Sequence, residues 1–119
     1  MQYMILIYQN ETARQGQSEQ QLGEVMGAYM AYTKALHDSG VWVAGDRLAS
    51  SSTATTVRME GGSAKVLNGP YAETREQLGG FYIIEAPDLD AALAWAARCP
   101  GVDYGVLEVR PVMGVPKVA

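Results

Sequence analysis

The stretch GGFYIIEAPDLDAALAWAARCP, residues 79–100, decides the fold. Phe81-Tyr82-Ile83-Ile84 reads as the middle of a strand from Gly80 to Glu85, because aromatic and β-branched side chains suit a pleated surface. Asp88 then offers a side chain to the free N–H groups of a first helical turn. Leu89, Ala92, Leu93, Trp95 and Ala96 follow at helical steps, and Pro100 closes the helix. A strand feeding a capped helix is half of a β-α-β unit. Val106 to Val112, which alternates apolar and polar residues, completes it.

The first part of the chain repeats this plan. Tyr3 to Tyr8 is a short Ile-rich strand that ends in Gln9-Asn10-Glu11. Ser18-Glu19-Gln20-Gln21 has the form of a capping box, and Leu22, Val25, Met26, Tyr29, Tyr32 or Thr33, and Leu36 recur at three- and four-residue steps. A long amphipathic helix therefore runs to Gly40. Val41-Trp42-Val43-Ala44 is the next strand, from which Gly45-Asp46-Arg47-Leu48 is expected to lead away. After a Ser/Thr-rich bridge, Thr53 to Glu60 and Ala64 to Leu67 can pair as a hairpin about Gly61-Gly62, which tolerate the positive φ of a tight turn. Thr74-Arg75-Glu76-Gln77 repeats the capping-box pattern and predicts a helical turn, ended by Gly79-Gly80. Gly114 to Ala119 is a tail.

The expected fold is thus α+β: a ferredoxin-like split βαβ arrangement with an inserted hairpin, one domain over residues 1–119. In that arrangement both helices cover one face of an antiparallel sheet. Met4-Ile5-Leu6-Ile7 and Phe81-Tyr82-Ile83-Ile84 are nevertheless apolar on both faces, so the second face also needs cover. A second copy of the chain is the economical cover, giving a homodimer in which two sheets form a dimeric α/β barrel. In the last strand Leu107, Val109 and Pro111 point one way and Glu108 and Arg110 the other; if the apolar set faces the helices, the charged pair faces the dimer interior, either beside a polar ligand or as a salt bridge or exposed rim of the interface.

Composition narrows the function. The chain has 119 residues and a formal net charge of −4, which gives it no general attraction to nucleic acid or anionic lipid. Its apolar runs are far shorter than the roughly 20 residues of a membrane helix. A single cysteine, Cys99, and an N-terminus without a basic, apolar leader suggest a cytoplasmic protein. His37 is the only histidine, so no multi-histidine metal cluster can form. Its place in the last turn of a helix suits a structural role against the helix dipole. Glu73 and Glu76 lack a histidine beside them and read as solvated charges. Cys99 reads as a buried thiol. Neither a phosphate loop nor a Gly-x-Ser-x-Gly elbow is present, and no metal or cofactor is expected.

TATTVRMEGGSAKVLNGPYAETREQLGGFYIIEAPDLDAALAWAARCP, with LEVRPVM after it and MILIY and SGVWVAGDRL before it, closely resembles the DGPF-domain branch of the YCII-related family. The resemblance implies a ferredoxin-like fold and a dimeric α/β barrel. It also implies an association with extracytoplasmic-function sigma factors, and hence a regulatory or ligand-sensing role as readily as an enzymatic one. The wider group is held to carry a His-Asp pair in a cleft. Tyr29 stands near the place of that histidine here, and a phenol with an ordinary pKa of about 10 cannot replace it at neutral pH. In the namesake motif Asn68-Gly69-Pro70-Tyr71 replaces Asp-Gly-Pro-Phe, so an amide stands where a base might have been. Asp46 lies where the family usually has an acidic residue.

The functional expectation is a small-molecule-binding protein with an accessory or regulatory role, its ligand in a cleft at the dimer barrel touched by Asp46, Tyr71, Glu73, Tyr82 and Arg110. Local turn and cap chemistry competes with ligand contact as the reason for each loop residue. The first alternative is an enzyme for acid–base chemistry on a small aromatic or carbonyl substrate, with Asp46 or Glu73 as base. The second is a structural partner, of a sigma factor for example, whose cleft is empty.

Overall fold

The structure, a computed structural model, describes residues 1–116. Six strands and three helices follow in the order β1 (Gln2–Gln9), α1 (Glu11–Gln15), α2 (Glu19–Asp38), β2 (Trp42–Arg47), β3 (Thr55–Glu60), β4 (Ser63–Asn68), β5 (Gln77–Glu85), α3 (Leu89–Ala97) and β6 (Gly105–Pro111). Short 3-10 turns at Ser51–Thr53 and Pro100–Asp103 interrupt the connections. Of the expected tail, residues 114–116 form no regular element and residues 117–119 lie outside the described residues.

Four strands make one antiparallel sheet in the order β2-β5-β1-β6, and β3 and β4 form a separate hairpin. β1 and β2 flank β5, while β5 and β6 flank β1, so each strand-helix-strand unit is split by a strand of the other. The result is a mixed α+β fold with antiparallel sheets. Strand alternation decides the faces. Tyr3, Ile5 and Ile7 of β1 and Tyr82 and Ile84 of β5 are buried with Tyr32 and Leu36 of α2, Ala92 and Ala96 of α3, and Cys99. The Tyr32 hydroxyl donates to the Trp95 carbonyl at 2.7 Å and ties α2 to α3. The opposite face presents Met4 and Leu6 beside Ile83 and Phe81, with Arg110 opposite Met4 and Glu108 opposite Leu6. Leu107 and Val109 pack on the core, which leaves Glu108 and Arg110 exposed on that open face.

The caps work as the residue types require. Ser18 Oγ accepts from Gln21 N–H and the Gln21 side chain accepts from Ser18 N–H, a complete capping box. Asp88 accepts from Ala91 N–H at 2.9 Å. Gly61 and Gly62 take φ of 58° and 83° at the tip of the hairpin.

Three features differ from the sequence reading. α1 is a short helix that its composition does not announce; Asn10 caps it, accepting from Ala13 N–H at 3.2 Å. β2 continues through Asp46 and Arg47, which pair with Phe81 and Gly80. Gly80 permits this approach, because a Cβ there would stand 2.8 Å from the Asp46 carbonyl oxygen. Residues 74–77 form no helical turn. Thr74 and Gln77 direct their side chains to the Glu76 and Thr74 carbonyls, and Gln77 enters β5 opposite Gln9, so strand pairing overrides the capping pattern. Glu73 and Glu76 are therefore not neighbours on a helix.

Candidate functional site

A cleft of about 940 Å³ opens between α2 and the β2–β5 edge of the sheet. The amphipathic stripe of α2 divides to make it. Tyr32 and Leu36 are buried in the core, whereas Met26, Met30, Thr33 and His37, one helical step round, line the cleft wall. Trp42, Gly45 and Tyr82 supply its floor from the sheet.

Two polar groups and one aromatic surface converge there. Thr33 Oγ1 and the Tyr82 hydroxyl lie 3.0 Å apart and share a hydrogen bond. At the far end Arg14 donates to Gln9 Oε1 at 3.1 Å, and Gln9 Nε2 donates to the Tyr29 hydroxyl at 3.0 Å. Gln9 is buried, so this chain holds a guanidinium at the mouth of the cleft from below. The His37 ring stacks on Trp42 with centroids 4.3 Å apart and planes 23° from parallel. Burial pushes the Tyr29 and Tyr82 phenols up, which keeps both neutral hydrogen-bonding groups at physiological pH.

The charge at this site runs against that of the whole chain. Arg14, Lys34 and Arg47 line the cleft with a single carboxylate, Asp46, in a protein of net charge −4. Lys34 pairs with Asp38 at 2.6 Å, but among the described residues neither Arg14 nor Arg47 is in an ion pair. The cleft can thus receive a flat apolar group against Trp42 and an acidic or oxygen-bearing group against the arginines. Among the described residues no three His, Cys, Asp or Glu side chains gather as metal ligands.

Of the residues singled out from sequence, Asp46 and Tyr82 border the cleft. Asp46 is exposed, and strand alternation also puts it in the row of Phe81, Leu6 and Glu108 on the open face. Tyr71 and Glu73 lie in the exposed connection between β4 and β5, away from the cleft, and Arg110 stands on the open face of β6. Thr33, Trp42, Gln9 and Arg14 escaped the sequence reading. Thr33 and Trp42 carry a legible signal in the helical stripe and the strand start; Gln9 and Arg14 depend on α1.

A family model described as YCII-related domain matches residues 1–116. An uncharacterized protein of Rhizobium meliloti (strain 1021) is 34% identical over 114 residues, spanning 94% of this chain and 92% of that one. Among solved structures, the chain resembles 5-chloro-2-hydroxyhydroquinone dehydrochlorinase (TftG) from Burkholderia phenoliruptrix AC1100, in complex with 2,5-dihydroxybenzoquinone. The TM-score is 0.52 at 16% identity over 94% of this chain and 93% of that one, a likeness of fold.

Proposed function

This chain belongs to the YCII-related domain family, and from that premise we propose that it is a homodimeric small-molecule-binding protein, its ligand held in the α2–β2–β5 cleft. Its role is accessory or regulatory, in the cytoplasm, with a sigma factor as the protein partner. We assign it to the DGPF-domain branch on the run from Glu73 to Tyr82, despite Asn68 and Tyr71 in the namesake motif, as a single ferredoxin-like domain whose open sheet face closes a dimeric α/β barrel. One observation carries the binding reading: a cleft of about 940 Å³ lined by the Trp42–His37 stack, by Arg14 and Arg47, and by the hydrogen-bonded Tyr82 and Thr33. Such a combination of apolar surface and few placed polar groups is what small-molecule sites use. Of the residues expected to touch the ligand, Asp46 and Tyr82 border this cleft, and Tyr71, Glu73 and Arg110 do not.

A thermal-shift series with small phenols, aromatic acids and aliphatic acids tests this. At a hundred times its dissociation constant a ligand adds about 2.7 kcal/mol of stability. We expect the aromatic acids to raise the unfolding midpoint by several degrees and the aliphatic acids to do less. A flat response across all three classes favours the empty-cleft structural partner instead.

The second reading is an enzyme for acid–base chemistry on a small aromatic or carbonyl substrate. Asp46 at the cleft edge favours it, and the structural neighbour is a dehydrochlorinase bound to a small oxygenated ring. On this reading Asp46→Asn retains ligand binding and loses turnover.

A further inference from the structure

The α2–β2–β5 cleft is polarised along its length. At one end stand the two arginines. Arg14 donates to the buried Gln9, which donates in turn to the Tyr29 hydroxyl, and Arg47 Nη1 lies 3.8 Å from Met26 Sδ. Met26 and Tyr29, three residues apart, are neighbours on α2, so both cations belong to the same stretch of the helix. At the other end the His37 ring stacks on Trp42. Lys34 stands near that end, but Asp38 answers its charge at 2.6 Å.

Neighbouring carboxylates leave the arginines uncompensated. Glu11, one turn before Arg14 on α1, accepts from Ser51 N–H at 2.8 Å and from Ser51 Oγ at 2.7 Å instead. Asp46 pairs with Phe81 in the open-face row, whereas Arg47 pairs with Gly80, and strand alternation turns it to the helix side.

The two ends are well separated on both walls. From Tyr29 to His37 α2 rises about 12 Å. From Gly80, opposite Arg47, to Ile84, opposite Trp42, β5 advances about 13 Å. Between the ends lie Met30 on the helix and Gly45 on the floor. A Cβ at Gly45 would stand 2.8 Å from Tyr82 Cδ1 and 3.0 Å from Trp42 Cη2, so the glycine lets both rings lie close against the floor. The Thr33 and Tyr82 hydroxyls already bond to each other, and this middle section suits an apolar stem. A volume of about 940 Å³ is near the upper end for small-molecule sites, and a single ring with its acid group leaves most of it empty.

We infer that the ligand is an elongated aryl-alkanoic acid. Its flat ring lies on the Trp42–His37 stack, its stem runs past Met30 and Gly45, and its carboxylate meets Arg14 and Arg47. The inference rests on the small-molecule reading above and names the ligand class. A benzoate, whose acid group is attached directly to the ring, cannot touch both ends.

Isothermal titration calorimetry of the full chain with benzoate, hexanoate, 5-phenylpentanoate and 5-phenylpentanamide tests it. We expect 5-phenylpentanoate to bind about tenfold more tightly than benzoate or hexanoate, because it takes more apolar surface out of water. It is expected to exceed its own amide by about tenfold as well, through the charge-assisted bonds to the arginines. Arg14→Gln/Arg47→Gln alters two exposed side chains and is expected to keep the native circular dichroism. This variant loses the preference for acid over amide and still favours 5-phenylpentanoate over benzoate. Benzoate or hexanoate equal to 5-phenylpentanoate, an amide equal to its acid, or an acid preference that survives the double substitution overturns the elongated acid and leaves the small-molecule reading standing. No binding of any of the four at millimolar concentration overturns both.

Discussion

Tyr29 and Tyr82 show how much one buried hydroxyl decides. Both sit between core and cleft, and desolvation raises their pKa, as it does for Tyr32. A phenol raised in the fold is neutral there, so the stability tied to it is complete below the ordinary value of about 10 and is lost as pH rises through the raised value. An alkaline titration is therefore expected to show Tyr29, Tyr32 and Tyr82 ionising only together with loss of the fold. All seven phenols of the chain ionising alike while circular dichroism stays native would contradict this. At this scale the sequence was partly legible. Asp46 and Tyr82 could be picked out because a strand-end acid and a strand aromatic are visible in the chain. Gln9 and Arg14 could not, since a buried glutamine that orients an arginine has no pattern of its own. Tyr71 and Glu73 drew notice for their residue types, yet a single chain keeps them outside the cleft.

Elements with strong periodicity and proper caps were the legible ones. Ser18 and Asp88 marked the starts of α2 and α3, and Gly61-Gly62 marked the hairpin turn. The misses share a cause: a local pattern was outvoted by pairing elsewhere. The Thr74–Gln77 capping pattern yields to the ladder that joins Gln77 to Gln9, and β2 extends because Phe81 and Gly80 are there to pair with it. α1, five residues without an apolar stripe, exists through its Asn10 cap and tertiary bonds. The division of α2 into a core side and a cleft side makes a prediction. Leu36 is fully buried, and Leu36→Ala is expected to cost about 2–5 kcal/mol in urea unfolding. Met30→Ala, exposed on the cleft wall, is expected to stay within about 0.5 kcal/mol. Equal losses would mean that the helix does not present two distinct faces.

Across the whole molecule, each β-α-β unit needs the other to fill its gap, and together they leave one sheet face open. Apolar residues on both sides of β1 and β5 made that need readable before any fold was in view. The position of the cleft was not readable, because it depends on how α2 leans over the β2 edge. Native mass spectrometry with a small aromatic acid present tests the central claim of a homodimeric binding protein, since it weighs assembly and ligand together. The account predicts a dimer that takes up to two ligand molecules, and a Trp42→Ala dimer that takes none. A monomer, or a dimer that binds nothing at millimolar acid, would contradict it.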